Sequence, residues 1–350
     1  MIKQQCALSG RKELGMPLLK TTIQIKAHNS AIQNGLTFEN LTSYRDSAED
    51  KHIIPLIGRA FYNILNARIL DQGANPLTIE ESELVRLLTK ASANLTIAYY
   101  TSFGSVQLSN AGAHVTVSES QRIASDKKIA ELKNASFLNG FDALYQALQY
   151  LHEHKTTIPF TTYFADNAYT KNSFLFLQYP QEAIYINSLT QNPWLFDKLK
   201  GAQLRVIDTY LISLLGEALF LELQLKRKLQ NLSPLQDELT KKIQKAVSFL
   251  TMAEGIVQNQ LYVDANGIFS PSESTGGITG NFQMRDSPML RDLNSYMHTF
   301  LSRGEAELEN IRIFLNAKAT TLIFPEYVKQ NPAALAPTNL NSGEAPFFLT

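Results

Sequence analysis

The sequence is poor in the residues that build cross-links, metal sites and membrane anchors. Cys6 is the single cysteine among 350 residues, which excludes an intrachain disulfide and leaves no cysteine spacing for a metal site. No apolar run approaches the roughly 18 residues that a membrane span needs. Charged residues interrupt the first twenty positions, which disfavours a signal peptide. We therefore expect a protein made in a reducing compartment, with no membrane contact.

Charge is also scarce. Charged residues make up 18 % of the chain, and the 32 basic and 32 acidic residues cancel, whereas a globular protein usually has about a quarter charged residues. Proteins that hold nucleic acid neutralise its phosphates with clustered Lys and Arg. The densest basic runs, Lys226–Lys228 and Lys241-Lys242, lie near acidic residues and are interpreted as solvated helix faces. No specific nucleic-acid binding is predicted.

What the chain does contain is one pattern present twice. A Leu-Ile-Gly block ending at Gly58 recurs as Leu-Leu-Gly ending at Gly216, an offset of 158 residues. Further blocks recur in the same order at offsets of 155 and then 164. The matched positions are Leu84, Leu88, Ala91, Leu95 and Ala98 with Leu239, Ile243, Ala246, Leu250 and Ala253, then Gly140, Leu144 and Leu151 with Gly304, Leu308 and Leu315. Collinear blocks indicate an internal duplication.

The duplication divides the chain into four predicted parts. These are an N-terminal extension over 1–19, a first helical repeat domain over 20–172 (copy one), a second over 173–331 (copy two), and an extended C-terminal arm over 332–350. Between the last two blocks the offset grows by nine residues, and these fall in the Ser- and Gly-rich stretch Ser270–Asn281. Insertions concentrate in loops, so this stretch is predicted to be one.

Each copy is predicted to be mainly α with short β-hairpins and strands. Thr22–Lys26 and Phe174–Gln178 have the pattern of strands that open the copies. The strongest helix follows Thr78 in copy one and Ser233 in copy two, and both residues are predicted to be N-caps. Its matched apolar positions repeat at helical spacing, so they are predicted to face a core.

The rest of each copy is predicted as a hairpin followed by two helices. The hairpins are Ser105–Ser109 with Ala113–Val117, and Gln260–Val263 turning through Asn266-Gly267, a dipeptide suited to tight turns. The helices are Ser118–Asn134 and Ser136–Glu153 in copy one, and Met289–Leu301 and Gly304–Ala317 in copy two.

Residues able to do chemistry form no recognisable arrangement. His152 and His154 are two apart on a predicted helix, so they point away from each other and are interpreted as a surface pair. Gly276–Gly280 is the one glycine-rich run, and it lacks the lysine and flanking elements of a phosphate loop. The positions that the copies share are apolar residues and glycines, which are packing positions. The protein is therefore predicted not to be an enzyme and to have no catalytic residue, no cofactor and no metal site.

The order of these blocks resembles an uncharacterised family encoded by phages and prophages of Bacteroidota. The resemblance rests on "IIPLIG" with "FYNIL", on "LVRLLTKASANLTIAYY", on "VQLSNAGAH" and on "FDALYQALQYLHEH", and it covers about residues 20–350. Each copy also resembles the helical unit of head-to-tail connector (adaptor) proteins of tailed phages. The resemblance implies a virion structural protein, assembled in the host cytoplasm, that forms a homo-oligomeric ring and contacts portal and tail or neck proteins.

Two other functions stay open from the sequence. One is a two-domain helical adaptor that binds another protein and presents Ser270–Asn281. The other is an enzyme with a site between the two domains, where pockets often form.

The C-terminal arm carries the one predicted interaction site. It contains Phe347, Phe348 and Leu349 within a stretch rich in Pro, Ala and Asn. We predict that these three residues make an intersubunit contact, packing on a neighbouring copy beside an edge strand at Thr22–Lys26.

Overall fold

The computed structural model describes residues 18–29, 37–103, 106–109, 112–115, 126–157, 159–259, 262–264, 267–269 and 290–331. In copy one the helices are α1 Thr22–His28, α2 Thr42–Ala48, α3 Ile54–Ile57, α4 Arg59–Leu70, α5 Ile79–Phe103, α6 Asp126–Glu153, α7 Thr161–Ala165 and α8 Asn167–Ser173. In copy two they are α9 Asn187–Gln191, α10 Pro193–Lys198, α11 Lys200–Val206, α12 Ile212–Leu215, α13 Glu217–Leu229, α14 Pro234–Asn259, α15 Leu290–Lys318 and α16 Pro325–Gln330.

The predicted mixture of helices with β elements is wrong as a fold class. In the residues that the structure describes, the fold is all-α. Strand pairing in the described residues is confined to β1 Val106–Ser109 with β2 Gly112–Val115, and β3 Tyr262–Asp264 with β4 Gly267–Phe269. These pairs are too short to add a sheet to the core, which is built by helices.

The strands predicted to open the copies are also absent. Thr22–His28 is helix α1, which begins with a capping box: the Thr21 hydroxyl accepts from the Gln24 backbone N–H, and the Gln24 side chain accepts from the Thr21 N–H. Reciprocal caps of this kind favour a helix, even though the alternating pattern of the same residues is typical of a strand. In copy two, Phe174–Gln178 has no strand partner, because side chains of copy two bind its backbone carbonyls instead.

The internal duplication is visible in the backbone itself. Residues Glu49–Ile53 and Ile207–Leu211, 158 positions apart, each form one turn of π-helix just before α3 or α12. Each following helix then stops at a glycine, Gly58 with φ +83° and Gly216 with φ +77°. Side chains other than glycine rarely adopt that conformation. Two copies therefore share the same two irregularities.

The long helices α5 and α14 follow the prediction. The Thr78 hydroxyl accepts from the Glu81 N–H at 3.2 Å, and the Ser233 hydroxyl accepts from the Gln236 N–H at 3.3 Å. Both predicted N-caps are confirmed. Every matched apolar position along these helices is at most 4 % exposed, among them Leu88 and Ile243 at 0 %.

Within the described residues, the two helices predicted after each hairpin form one continuous helix, α6 in copy one and α15 in copy two. Residues 118–125 and Met289, where the first helix of each pair was predicted to begin, lie outside the described residues. Gly140 and Gly304 lie within them. A Cβ atom at Gly140 would lie 2.7 Å from the Leu95 side chain, and one at Gly304 would lie 2.5 Å from Leu250. These glycines therefore allow the close approach of α6 to α5 and of α15 to α14, and they do not end a helix.

Both copies contribute to one hydrophobic core that runs from Leu18 to Val328. Ile57, Phe61 and Leu65, which follow one another at intervals of four residues, are fully buried in it. Every helix in the part of the chain that the structure describes is too short or too polar to span a bilayer.

Candidate functional site

Copy one buries a carboxylate. Glu49, in the π-helical turn, is 2 % exposed. It accepts hydrogen bonds from the backbone N–H groups of Leu18 and Leu19 at 3.4 and 3.3 Å, from the Ser92 hydroxyl at 2.6 Å, and from the Tyr62 hydroxyl. Burial raises the pKa of Glu49, and the bonds from Ser92 and Tyr62 oppose that rise. The carboxylate thus holds the segment that leads into copy one.

Copy two has no carboxylate at that place. The positions equivalent to Glu49, Tyr62 and Ser92 are Ile207, Phe220 and Val247, all at most 1 % exposed. Copy two adopts the same fold with three apolar side chains at these positions. The Glu49 cluster is therefore not needed to form the domain itself.

A different polar cluster holds the segment that leads into copy two. The Arg227 guanidinium donates to the carbonyls of Leu175 and Phe176 at 3.0 and 2.9 Å and lies 3.5 Å from the Glu182 carboxylate. Gln244 donates to the same carboxylate at 3.0 Å. Burial raises the pKa of Glu182 and lowers that of Arg227, and their ion pair opposes both shifts. Both clusters bind backbone of this chain, which is a structural task.

Helix α10 of copy two packs on α6 of copy one. Trp194 stacks on Phe137 with ring centroids 4.7 Å apart, and the Tyr145 hydroxyl donates to Asp197 at 3.0 Å. The copy-two positions equivalent to Phe137 and Tyr145 are Leu301 and the exposed Glu309. This contact surface of copy one is therefore not repeated in copy two.

His152 is not part of a surface pair, so that interpretation is wrong. Its ring lies among Phe164, Tyr169 and Tyr179, with centroids 5.4 to 5.5 Å away. Burial, together with the positive charges of Lys155 and Arg227, lowers the pKa of His152 to about 4. The aromatic residues that enclose it come from α7, α8 and the segment entering copy two, a proximity that sequence spacing does not reveal.

An open groove of about 640 Å³ lies between α14 and α15 of copy two. Tyr185, Ile313 and Phe314 form its apolar part. Three lysines and two glutamates line it as well: Lys241, Lys242, Lys245, Glu238 and Glu307. Tyr185 is 43 % and Ile313 58 % exposed, so apolar surface at this groove is left in water.

The groove lysines differ in how they are paired. Lys245 is 2.7 Å from Glu307, and Lys241 is 2.7 Å from Asp237. Lys242 is 3.8 Å from Glu238, and its ammonium lies over the Phe314 ring at 5.4 Å. Lys242 is thus the groove lysine with the weakest intramolecular ion pair.

A second apolar surface lies on α13. Leu221, Leu225 and Leu229 are 51, 57 and 54 % exposed and stand four residues apart on one helix face. We call these three residues the leucine stripe. The equivalent positions of copy one are Asn63 and Ala67 on α4 and Asp71 just after its end. Comparison of the two copies in the sequence could have found this difference, because the offset of 158 aligns the two helices.

The described residues contain no group of three or more His, Cys, Asp or Glu side chains that could hold a metal ion. The absence of an enzymatic function and of a cofactor stays a prediction. The predicted intersubunit residues Phe347, Phe348 and Leu349, the stretch Ser270–Asn281 and Cys6 lie outside the described residues.

Comparison with known proteins places each copy in one family. Residues 53–173 and 211–334 both match the family of unknown function DUF6712. The first match spans α3 to α8, and the second spans α12 to α16. The match names no activity, partner or source. Neither a search of curated proteins nor a search of solved structures gives a match. Since the two matches cover more than half of its length, the chain belongs to the DUF6712 family and carries the family's domain twice.

Proposed function

We propose that the chain is a virion structural protein, a subunit of the head-to-tail connector (adaptor) ring of a tailed phage. In this proposal it is assembled in the host cytoplasm and contacts copies of itself, the portal, and tail or neck proteins. The observation that carries the proposal is the open groove of copy two. Exposed apolar surface that lines a concavity is typical of a site which another polypeptide covers.

The C-terminal arm of a neighbouring copy is the proposed occupant of the groove. Strand addition at Thr22–Lys26 is excluded, because those residues are helical. The rings of Tyr185 and Phe314 can instead pack against Phe347 and Phe348, since aromatic pairs favour edge-to-face contacts. Fully burying a phenylalanine contributes about 1.5–3 kcal/mol, which offsets part of the cost of ordering the arm.

Charge supports the same occupant. Residues 332–350 contain one acidic residue, Glu344, and no lysine or arginine. The groove holds three lysines against two glutamates, so its lining has an excess of positive charge. Glu344 lies three residues before Phe347, close enough to reach Lys242 when the phenylalanines are in the groove.

The duplication supports a structural protein over an enzyme. The copies share buried glycines and apolar positions, while their buried polar groups differ, as at Glu49 and Ile207. A shared catalytic site would keep polar groups instead. The cavity at the junction of the copies, lined by His152 and Lys200 among others, is only about 10 Å³. That volume suits about one water molecule and is too small for a substrate.

A protein-binding adaptor is the second candidate. The same groove favours it, because an arm of a different protein with the same chemistry would fit there. The two functions differ in the mass of the assembled particle and in what the particle contains.

The test compares the full-length protein with two variants by mass measurement in solution, alone and with the portal. Wild type should assemble with copies of itself. Phe348→Ser removes one aromatic residue of the arm, and Ile313→Gln gives the groove the residue that copy one has at this position, Gln149. Both variants should assemble at least roughly tenfold more weakly, with helical content unchanged by circular dichroism.

The control is Ile79→Ser. Ile79 is 84 % exposed, at the start of α5, and its loss should leave assembly unchanged. Images of intact virions that lack this protein at the head-to-tail joint would refute the connector function. Assembly with a different protein only, and never with a second copy, would favour the adaptor.

A further inference from the structure

The leucine stripe is not accounted for by the groove. It lies on α13, whereas α14 and α15 form the groove. The stripe is specific to copy two, because copy one carries Asn63 and Ala67 on the same face of α4 and Asp71 just after its end. Two copies of one fold thus differ in whether this helix face is apolar, so the domain does not require leucines there.

The spacing of the stripe suits a helix partner. Ala218, which is also exposed, precedes Leu221 by three residues, and Leu225 and Leu229 follow at intervals of four. Apolar residues at intervals of three and four form a seam along one helix side that packs against another helix.

The charges along α13 specify the direction of the partner. Glu217 and Glu222 lie in its first half, and Lys226 and Lys228 in its second. A second α13 that runs antiparallel places its basic half beside the acidic half of the first. A parallel second α13 would place like charges together, which is destabilising.

We propose that the leucine stripe pairs with the leucine stripe of a second copy of this chain, the two α13 helices running antiparallel about a two-fold axis near Leu225. In this arrangement Leu221 of each copy faces Leu229 of the other. A two-fold contact uses the same surface on both partners and closes at two. It therefore goes beyond the proposed ring, whose contacts run from each subunit to the next, and it joins the free chains in pairs.

The size of α13 sets the strength of the pair. Its 13 residues make a helix about 20 Å long. A contact between two such helices is smaller than the roughly 1,200 Å² of a standard stable interface. The dimer should therefore be weak, with dissociation in about the micromolar range, and should appear as the concentration of the protein rises.

Disulfide trapping tests the geometry on the full-length chain with Cys6→Ser as background. Leu225→Cys alone should give a covalent dimer, because the two residues meet at the axis. Leu221→Cys alone and Leu229→Cys alone should give little, while a mixture of the two should give the dimer. The control is Ala67→Cys, the equivalent of Leu225 on α4, which should stay monomeric.

Loss of the pair tests the apolar contact. The variant L221N/L225A/L229D carries the residues of copy one and should shift dimer dissociation to at least roughly tenfold higher concentration, with helical content unchanged. A wild type that stays monomeric at every concentration would overturn the proposal. So would self-trapping of Leu221→Cys at the level of the mixture, which indicates parallel helices, or a disulfide from Leu225→Cys to a different protein only. Arm-dependent assembly that persists in L221N/L225A/L229D would leave the proposed ring intact.

Discussion

Lowering the pH from 7 to 5 should cost the folded protein about 2 kcal/mol through His152 alone. The pKa of this side chain is about 4 in the folded state, against about 6.5 in an unfolded chain. The folded state thus holds the ring neutral, while the unfolded state takes up a proton below pH 6.5. The stability that neutral His152 contributes is present above pH 6.5 and is lost as the pH falls toward 4.

The magnitude follows from those two values. At pH 5 the ring is about 97 % protonated in the unfolded state and about 10 % protonated in the folded state, which costs about 2 kcal/mol. At pH 7 the same difference is only about 0.2 kcal/mol. The physical cause is burial among Phe164, Tyr169 and Tyr179, with Lys155 and Arg227 adding positive charge nearby.

Two variants isolate this effect in urea denaturation at pH 7 and pH 5. His152→Phe keeps an aromatic ring in place, and His152→Asn introduces the copy-two residue, as at Asn316. The two variants should differ from each other in the free energy of unfolding at pH 7. Both should lose about 2 kcal/mol less than wild type between the two pH values, since neither can take up a proton. Equal losses in wild type and both variants would refute a buried neutral histidine.

Three further predictions concern the hydrophobic core and the net charge. Leu88→Ala should destabilise the protein by about 2–5 kcal/mol in chemical denaturation, and a neutral result would contradict its place in the core. Gly304→Ala should lower the melting temperature, because the new Cβ would lie 2.5 Å from Leu250. Gly201→Ala is the control, since no atom lies within 4 Å of its Cβ. This control should be neutral or stabilising by up to about 1 kcal/mol. Because the net charge is zero, a gel-shift titration at physiological salt should show no duplex DNA binding, and tight, salt-sensitive binding would contradict this.

The duplication and the helix faces could be predicted from the sequence because both depend on local spacing. Apolar residues at helical intervals identify the buried side of α5 and α14 directly. The caps at Thr78 and Ser233 need only the residue three positions later. These features are fixed within a few turns of chain, which one sequence contains in full.

The strand predicted at Thr22–Lys26 was wrong because the alternating pattern of these residues was given more weight than their helix-capping signal. The residues alternate between apolar and polar, yet Thr21 and Gln24 form the two halves of a capping box. The three-residue spacing of Thr21 and Gln24 was the available signal. In α6 and α15 the predicted boundaries, at Ala135 and between Leu301 and Gly304, were wrong because both helices run through these positions without a break.

The buried polar groups could not be predicted from one sequence. Glu49 lies 43 positions from Ser92, and Arg227 lies 52 positions from Leu175. No local pattern distinguishes a carboxylate that binds distant backbone from one that faces water. The groove depends in the same way on tertiary structure, because it forms only where α14, α15 and Tyr185 meet.

The contact between the two copies determines whether the single domain or the whole chain is the repeating unit of an assembly. Trp194 and Asp197 need Phe137 and Tyr145 as partners, and copy two offers Leu301 and Glu309 at those places. A second chain that docked α10 on copy two would place the Glu309 carboxylate beside the Asp197 carboxylate, where copy one has the Tyr145 hydroxyl, and like charges juxtaposed in an interface cost several kcal/mol. The linkage between copies therefore cannot extend from chain to chain as a filament of domains. The repeating unit of any symmetric assembly of this protein is therefore the whole chain. A ring of such chains presents two distinct sets of domain surfaces, each repeated once per chain.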